Sequence, residues 1–152
     1  MSRAPEVLNG LDPFSRSFAE ELIRAFPEFE SRTNIDQGVL TLEVAPGIPR
    51  PSCKLYVSTA DGEITVGLGG FHTHFAWPVL HPGNEWEDPI AFIRALMNGT
   101  TLIVDRLRNG EWTSSTTLTA EEALGPIELE PGETAQVWSW TGAGDRTITA
   151  GR

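Results

Sequence analysis

Asp61-Gly62 and Asn109-Gly110 constrain this chain more than any other feature, because each sits between runs in which apolar and polar residues alternate. Such dipeptides tolerate positive φ at both turn positions, which is the backbone needed to reverse a twisted strand within two residues. Before the first turn, Cys53, Leu55 and Val57 alternate with Lys54, Tyr56 and Ser58; after it come Ile64, Val66 and Leu68. A period of two places each set on one face of a strand. Leu40, Leu42 and Val44 mark an earlier strand of the same kind, separated by the proline-rich loop 45–51. Around the second turn, residues 100–105 pair with a return strand over 112–118. Two further short strands follow, over 135–140 and through Ile148.

Helical signals lie between these strands. Asp12-Pro13 supplies an N-cap and a proline at the first helical position. Phe14, Phe18, Leu22 and Phe26 then recur every four residues until Pro27 stops the helix. A second helix starts near Asp88-Pro89, carries Ile90, Phe92, Ile93, Leu96 and Met97, and ends at Asn98-Gly99. Thr119-Ala120-Glu121-Glu122 has the spacing of a capping box. The expected fold is α+β: a single twisted antiparallel sheet of about six or seven strands, with two main helices packed on a face. Residues 1–152 are expected to form a single domain, with 1–11 as a loose N-terminal tail.

Charge narrows the function classes. The chain has 152 residues and a formal net charge of −10. Residues 1–54 hold six basic and eight acidic groups, and residues 55–152 hold five and thirteen. No Lys or Arg lies between Lys54 and Arg94, nor between Arg108 and Arg146. Such a surface repels phosphate, so nucleic acid is not an expected partner. It attracts a basic protein and speeds the encounter. Neither an apolar run long enough for a membrane span nor a signal-peptide pattern is present, so a cytoplasmic protein without membrane contact is expected. One cysteine, Cys53, excludes a disulfide framework; set mid-strand, it reads as buried and inert. Leu68-Gly69-Gly70 and Thr141-Gly142-Ala143-Gly144 lack the Gly-Lys-Ser step of a phosphate loop.

The segment with most potential chemistry is Gly69-Gly70-Phe71-His72-Thr73-His74-Phe75-Ala76-Trp77-Pro78. His72 and His74 point to one side of a strand, and His81, Glu85, Glu87 and Asp88 follow. Two imidazoles with a third nitrogen or a carboxylate can bind zinc, and an open coordination position can activate water. His72, His74, His81 and Glu85 are therefore the alternative metal set of a small zinc protein or hydrolase. Counting by twos from Ile64 turns both histidines toward the core. A bulge at Gly69-Gly70 would reverse that, burying Phe71, Phe75 and Trp77 and exposing the histidines. The bulge is the expected arrangement because it buries the larger apolar surface. The five tryptophans are either core cover or an exposed patch; among acids, an exposed tryptophan suits a hot spot for a basic partner.

The block Gly62-Glu63-Ile64-Thr65-Val66-Gly67-Leu68-Gly69-Gly70-Phe71-His72-Thr73-His74-Phe75-Ala76-Trp77, with the acidic step and the helix after it, resembles small bacterial proteins, some of them grouped with immunity proteins of polymorphic toxin systems. Ser139-Trp140-Thr141-Gly142, followed by Asp145-Arg146, resembles a second block of the same proteins. The likeness spans about half the chain and implies a small acidic α+β protein that binds and blocks a toxin. It supplies no catalytic residue. The expected function is thus a non-enzymatic, immunity-type inhibitor that needs no cofactor. The expected contacts are His72, His74, Trp77, Glu85, Trp86, Glu87 and Asp88, with Glu128 and Glu130 as a second patch. A scaffold domain without ligand is the remaining alternative.

Overall fold

A computed structural model describes residues 6–47 and 54–150 of the chain. Cys53 lies outside the described residues. Where one sheet was expected there are two, both antiparallel, with two main helices. The chain divides into two compact units, and the division falls between Ile93 and Arg94.

The first unit holds a five-stranded sheet of β1 (Thr33–Asp36), β2 (Val39–Val44), β3 (Leu55–Ser58), β4 (Ile64–Leu68) and β5 (Phe71–Phe75), paired in sequence order. β1–β2, β3–β4 and β4–β5 are joined by two to five residues, so each of these pairs lies side by side and antiparallel. Leu40, Leu42, Leu55, Val57, Ile64, Val66 and Leu68 are buried, as their alternation requires. Helix α1 (Pro13–Ala25) begins where Asp12-Pro13 places it: an Asp12 carboxylate oxygen accepts from the Ser15 N–H at 2.7 Å. Phe18 and Leu22 are fully buried on its inner stripe. The helix is tied to the sheet by a buried hydroxyl pair, Ser15 Oγ to Thr59 Oγ1 at 2.5 Å, and Thr59 Oγ1 also accepts the Leu40 N–H at 3.0 Å. Residues 6–11 do not behave as a loose tail. Glu6–Gly10 form a 3-10 turn, and Leu8 is completely buried, because a lone leucine ahead of the helix still gains by leaving water.

The second unit holds β6 (Thr101–Arg108), β7 (Glu111–Thr119), β8 (Glu133–Trp138) and β9 (Arg146–Thr149) in the order β7-β6-β8-β9. Asn109 and Gly110 have φ of 52° and 83°, as the β6–β7 reversal demands. One face packs Leu102, Val104, Ala135 and Val137 against Ala123, with Ile127 and Leu129 closing over them. The Thr119 capping box is reciprocal: Thr119 N–H donates to Glu122 Oε1 and Glu122 N–H to Thr119 Oγ1, each at 3.0 Å. It starts a single 3-10 turn, Glu122–Leu124.

The single-sheet expectation fails between β5 and β6. These strands are separated by the loop 76–88 and by helix α2 (Pro89–Met97), a connection too long to impose neighbourhood in a sheet. Among the described residues no helix is long and apolar enough to cross a membrane.

Candidate functional site

The histidine strand is built by a tight reversal rather than by the expected bulge. Leu68 pairs directly with Phe71, so Gly69-Gly70 is a two-residue hairpin loop, with Gly69 at φ +60°. Strand β5 therefore runs back along β4 and restarts the alternation. Phe75 is buried and packs on Phe92 of α2 with ring centroids 5.4 Å apart, whereas His72 and His74 are exposed. The outward direction agrees with the expectation; the device that produces it differs. His72 lies opposite Gly67, where an added Cβ would come within 3.3 Å of the Phe71 carbonyl oxygen. His74 lies opposite Thr65, and its Nδ1 is 2.9 Å from Thr65 Oγ1 and 3.2 Å from Glu63 Oε1.

The loop 76–88 then carries the remaining residues of the first expected patch. Trp77 is half-buried rather than free: its ring meets Phe18 edge-on at 5.1 Å, and its indole N–H donates to Ser17 Oγ at 3.1 Å. It anchors the start of the loop to α1. The other end is fixed by Asp88, whose Oδ1 caps α2 by accepting from Ile90 N–H at 3.0 Å while Oδ2 accepts from Gly83 N–H at 2.9 Å. A carboxylate there also complements the positive end of the helix dipole. Between these anchors, Asn84 Oδ1 accepts the Trp86 N–H at 3.0 Å and Asn84 Nδ2 donates to Glu87 Oε2 at 3.1 Å. The backbone beneath Trp86 is thus held from both sides. Its indole is 58% exposed and Leu80 in the same loop is 84% exposed. Glu85 is half-buried and Glu87 exposed. Among the described residues no Lys or Arg contacts Glu87 or Asp88; Glu87 meets Asn84 and His81, whose Nδ1 lies 2.8 Å from Glu87 Oε2.

The alternative zinc set is not assembled. His74 is engaged with Glu63 and Thr65, and His81 with Glu87. Among the described residues no group of three or more His, Cys, Asp or Glu side chains is placed to hold a metal ion.

The second expected patch has a different character. Glu130 forms an ion pair with Arg108, and Arg106 Nη1 donates to the Glu128 carbonyl oxygen at 3.0 Å and to Glu133 Oε1 at 2.9 Å. Linear spacing hides this, because both arginines sit on β6 and reach across to a segment twenty-two or more residues later. Sequence reading also missed a polar cleft of about 550 Å³ on the first unit, lined by Arg32, Asn34, Thr41, Glu43, Lys54 and Tyr56. Its residues come from β1, β2, β3 and their flanks, and β1 is a strand the apolar alternation does not reveal. The signal was Gln37-Gly38, both at positive φ, which reverses β1 into β2.

No protein-family model, curated protein or solved structure matches the chain.

Proposed function

We propose that this protein is a non-enzymatic binding protein of immunity type, which docks on a basic protein such as a toxin through the loop 76–88. One observation carries the reading: Trp86 is 58% exposed, on a backbone held by Asn84 and Asp88, in a stretch whose Glu87 and Asp88 meet no Lys or Arg among the described residues. An exposed, pre-positioned tryptophan supplies a large contact area at little ordering cost, and hot spots are rich in this residue. The surrounding carboxylates select for a cationic partner and accelerate its approach. His72 and His74, exposed on the strand that leads into the loop, extend the contact. Glu128 and Glu130 contribute less than the sequence suggested, since arginines of their own sheet already engage them or their backbone.

The test is photo-cross-linking in the producing cell, with the reactive amino acid placed at position 86 in one sample and at position 130 in another. The expected result is one basic protein captured at 86 and not at 130, whose purified activity is blocked by the wild-type chain. Capture of an acidic protein, or equal capture at both positions, contradicts the reading.

A further inference from the structure

We propose that the second unit binds a small apolar carboxylate, in a cavity walled by the loop 139–145 and gated by Arg146. The cavity has a volume of about 350 Å³, within the size range of small-molecule pockets. Its described lining residues all belong to the second unit, so the proposal is independent of docking through the loop 76–88. Leu102, only 2% exposed, forms the floor, and Ala123 beside it is nearly as buried. Both belong to the core cluster of this unit. The cavity therefore reaches into the core instead of lying flat on the surface, and the exposed Leu124 stands at its mouth.

Local backbone chemistry builds the walls and holds them open. On one side, the buried Ser139 hydroxyl donates to the Ala143 carbonyl oxygen at 2.7 Å, and the Ser139 N–H donates to Asp145 Oδ1 at 2.9 Å. Gly142 and Gly144 take φ of 85° and 83° within this reversal from β8 to β9. On the other side, the Thr119–Glu122 capping box fixes the turn that carries Ala123, and Ala120 N–H donates to the Thr100 carbonyl oxygen at 2.9 Å. Apart from Leu102, Leu124 and Arg146, every described residue of the lining is glycine or alanine. A Cβ on Gly144 would lie 3.1 Å from Leu102 Cδ2, so a side chain there would crowd the floor. Thr141-Gly142-Ala143-Gly144, which lacks the Gly-Lys-Ser step of a phosphate loop, thus shapes an apolar pocket instead.

Arg146 selects the ligand's charge. It pairs with Val137, which places it on the sheet face that carries Leu102 and Val104. Its Nη2 donates to the carbonyl oxygens of Ala123 and Gly125, which fixes the guanidinium at the rim of the cavity. Both acceptors are neutral. Among the described residues the N–H groups on Nε and Nη1 have no acceptor, no carboxylate pairs with Arg146, and no Asp or Glu lines the cavity. In a chain of net charge −10, this cation is left without an acid beside an apolar space. A carboxylate supplies the missing charge-assisted acceptor, and an apolar tail gains by leaving water against Leu102 and Ala123.

Nitrogen-15 correlation titrations of the full chain with octanoate, octanol and acetate test the site. Octanoate is expected to bind with a dissociation constant of about 1 mM or tighter, shifting amides 99–102, 120–125 and 143–146. Octanol should bind about tenfold more weakly, and acetate, which has almost no tail, should cause no shift. Arg146→Gln is expected to abolish the preference for octanoate while leaving the octanol affinity unchanged, which a merely structural arginine would not do. Ala120→Trp fills the cavity from an exposed position and is expected to abolish binding of both, with an unchanged circular dichroism spectrum. Absence of octanoate binding at 5–10 mM (roughly ten times the expected constant) overturns the proposal. So do equal affinities for octanoate and octanol, shifts centred elsewhere, or binding that survives Ala120→Trp in folded protein.

Discussion

In the five-stranded unit, Glu87 and Asp88 are bonded to His81, Asn84 and backbone N–H groups; in the four-stranded unit, Arg106 and Arg108 reach across the sheet to Glu133, Glu130 and the Glu128 carbonyl. Both segments read as acidic runs with no Lys or Arg among their own residues. The difference is strand register. β6 pairs with β8 so that Arg106 lies opposite Ala135 and Arg108 opposite Glu133, which carries two cations to the 128–133 segment. The loop 76–88 leads into α2 instead, and among the described residues no Lys or Arg reaches Glu87 or Asp88. A count of charges along the chain therefore overstates the field of one segment and describes the other well. Surface ion pairs of the Arg108–Glu130 kind add little stability, but they remove most of the local attraction for a cationic partner.

The contrast can be broken or sharpened by substitution. The largest effect is expected for Trp86→Ala, which should weaken partner binding by about 2 kcal/mol, or roughly thirtyfold, while leaving stability within about 0.5 kcal/mol. Calorimetric titration of the captured partner measures the first quantity and urea unfolding the second. Glu87→Lys places a cation in the loop that lacks one. It should slow association with the partner about tenfold in stopped-flow mixing at low salt, with the difference closing as salt rises.

Asp88→Ala removes the cap of α2 and the Gly83 tether together, so a stability loss of about 1 kcal/mol in urea unfolding is expected. Looser presentation of Trp86 should accompany it, seen as faster amide exchange over 83–88. The smallest effect on stability is expected for Arg108→Gln, within about 1 kcal/mol. This variant sharpens the contrast most, because it releases Glu130 and should make the 128–133 segment attract a cationic peptide where the wild type does not.

Local backbone chemistry was legible in the sequence. Asp12-Pro13, Asp61-Gly62, Asn109-Gly110 and the Thr119 capping box each act within four residues, and the cap or turn appears in place for each. Asp61 and Gly62 have φ of 62° and 71°, between β3 and β4. What failed involved choices between two local solutions or pairings over distance. Gly69-Gly70 permits a bulge or a full reversal; the reversal wins because it also pairs β5 with β4 while keeping Phe75 buried. The split into two sheets follows from a connection of twenty-five residues between β5 and β6, for which alternation within strands carries no information. At the site, the outward histidines were legible from aromatic burial. Asp88 as a structural cap was legible from Asp88-Pro89, and Trp77 as an anchor was not, since its partners Phe18 and Ser17 lie some sixty residues earlier.

The most direct measurement is a nitrogen-15 correlation titration of the wild-type chain with an arginine-rich nonapeptide at low salt. The account predicts that shifts concentrate on amides 81–88 and on the Trp86 indole N–H, that amides 126–133 barely move, and that added salt reverses the shifts. Equal shifts in the two segments, or larger ones at 126–133, would contradict the claim that the Trp86 loop is the open acidic surface.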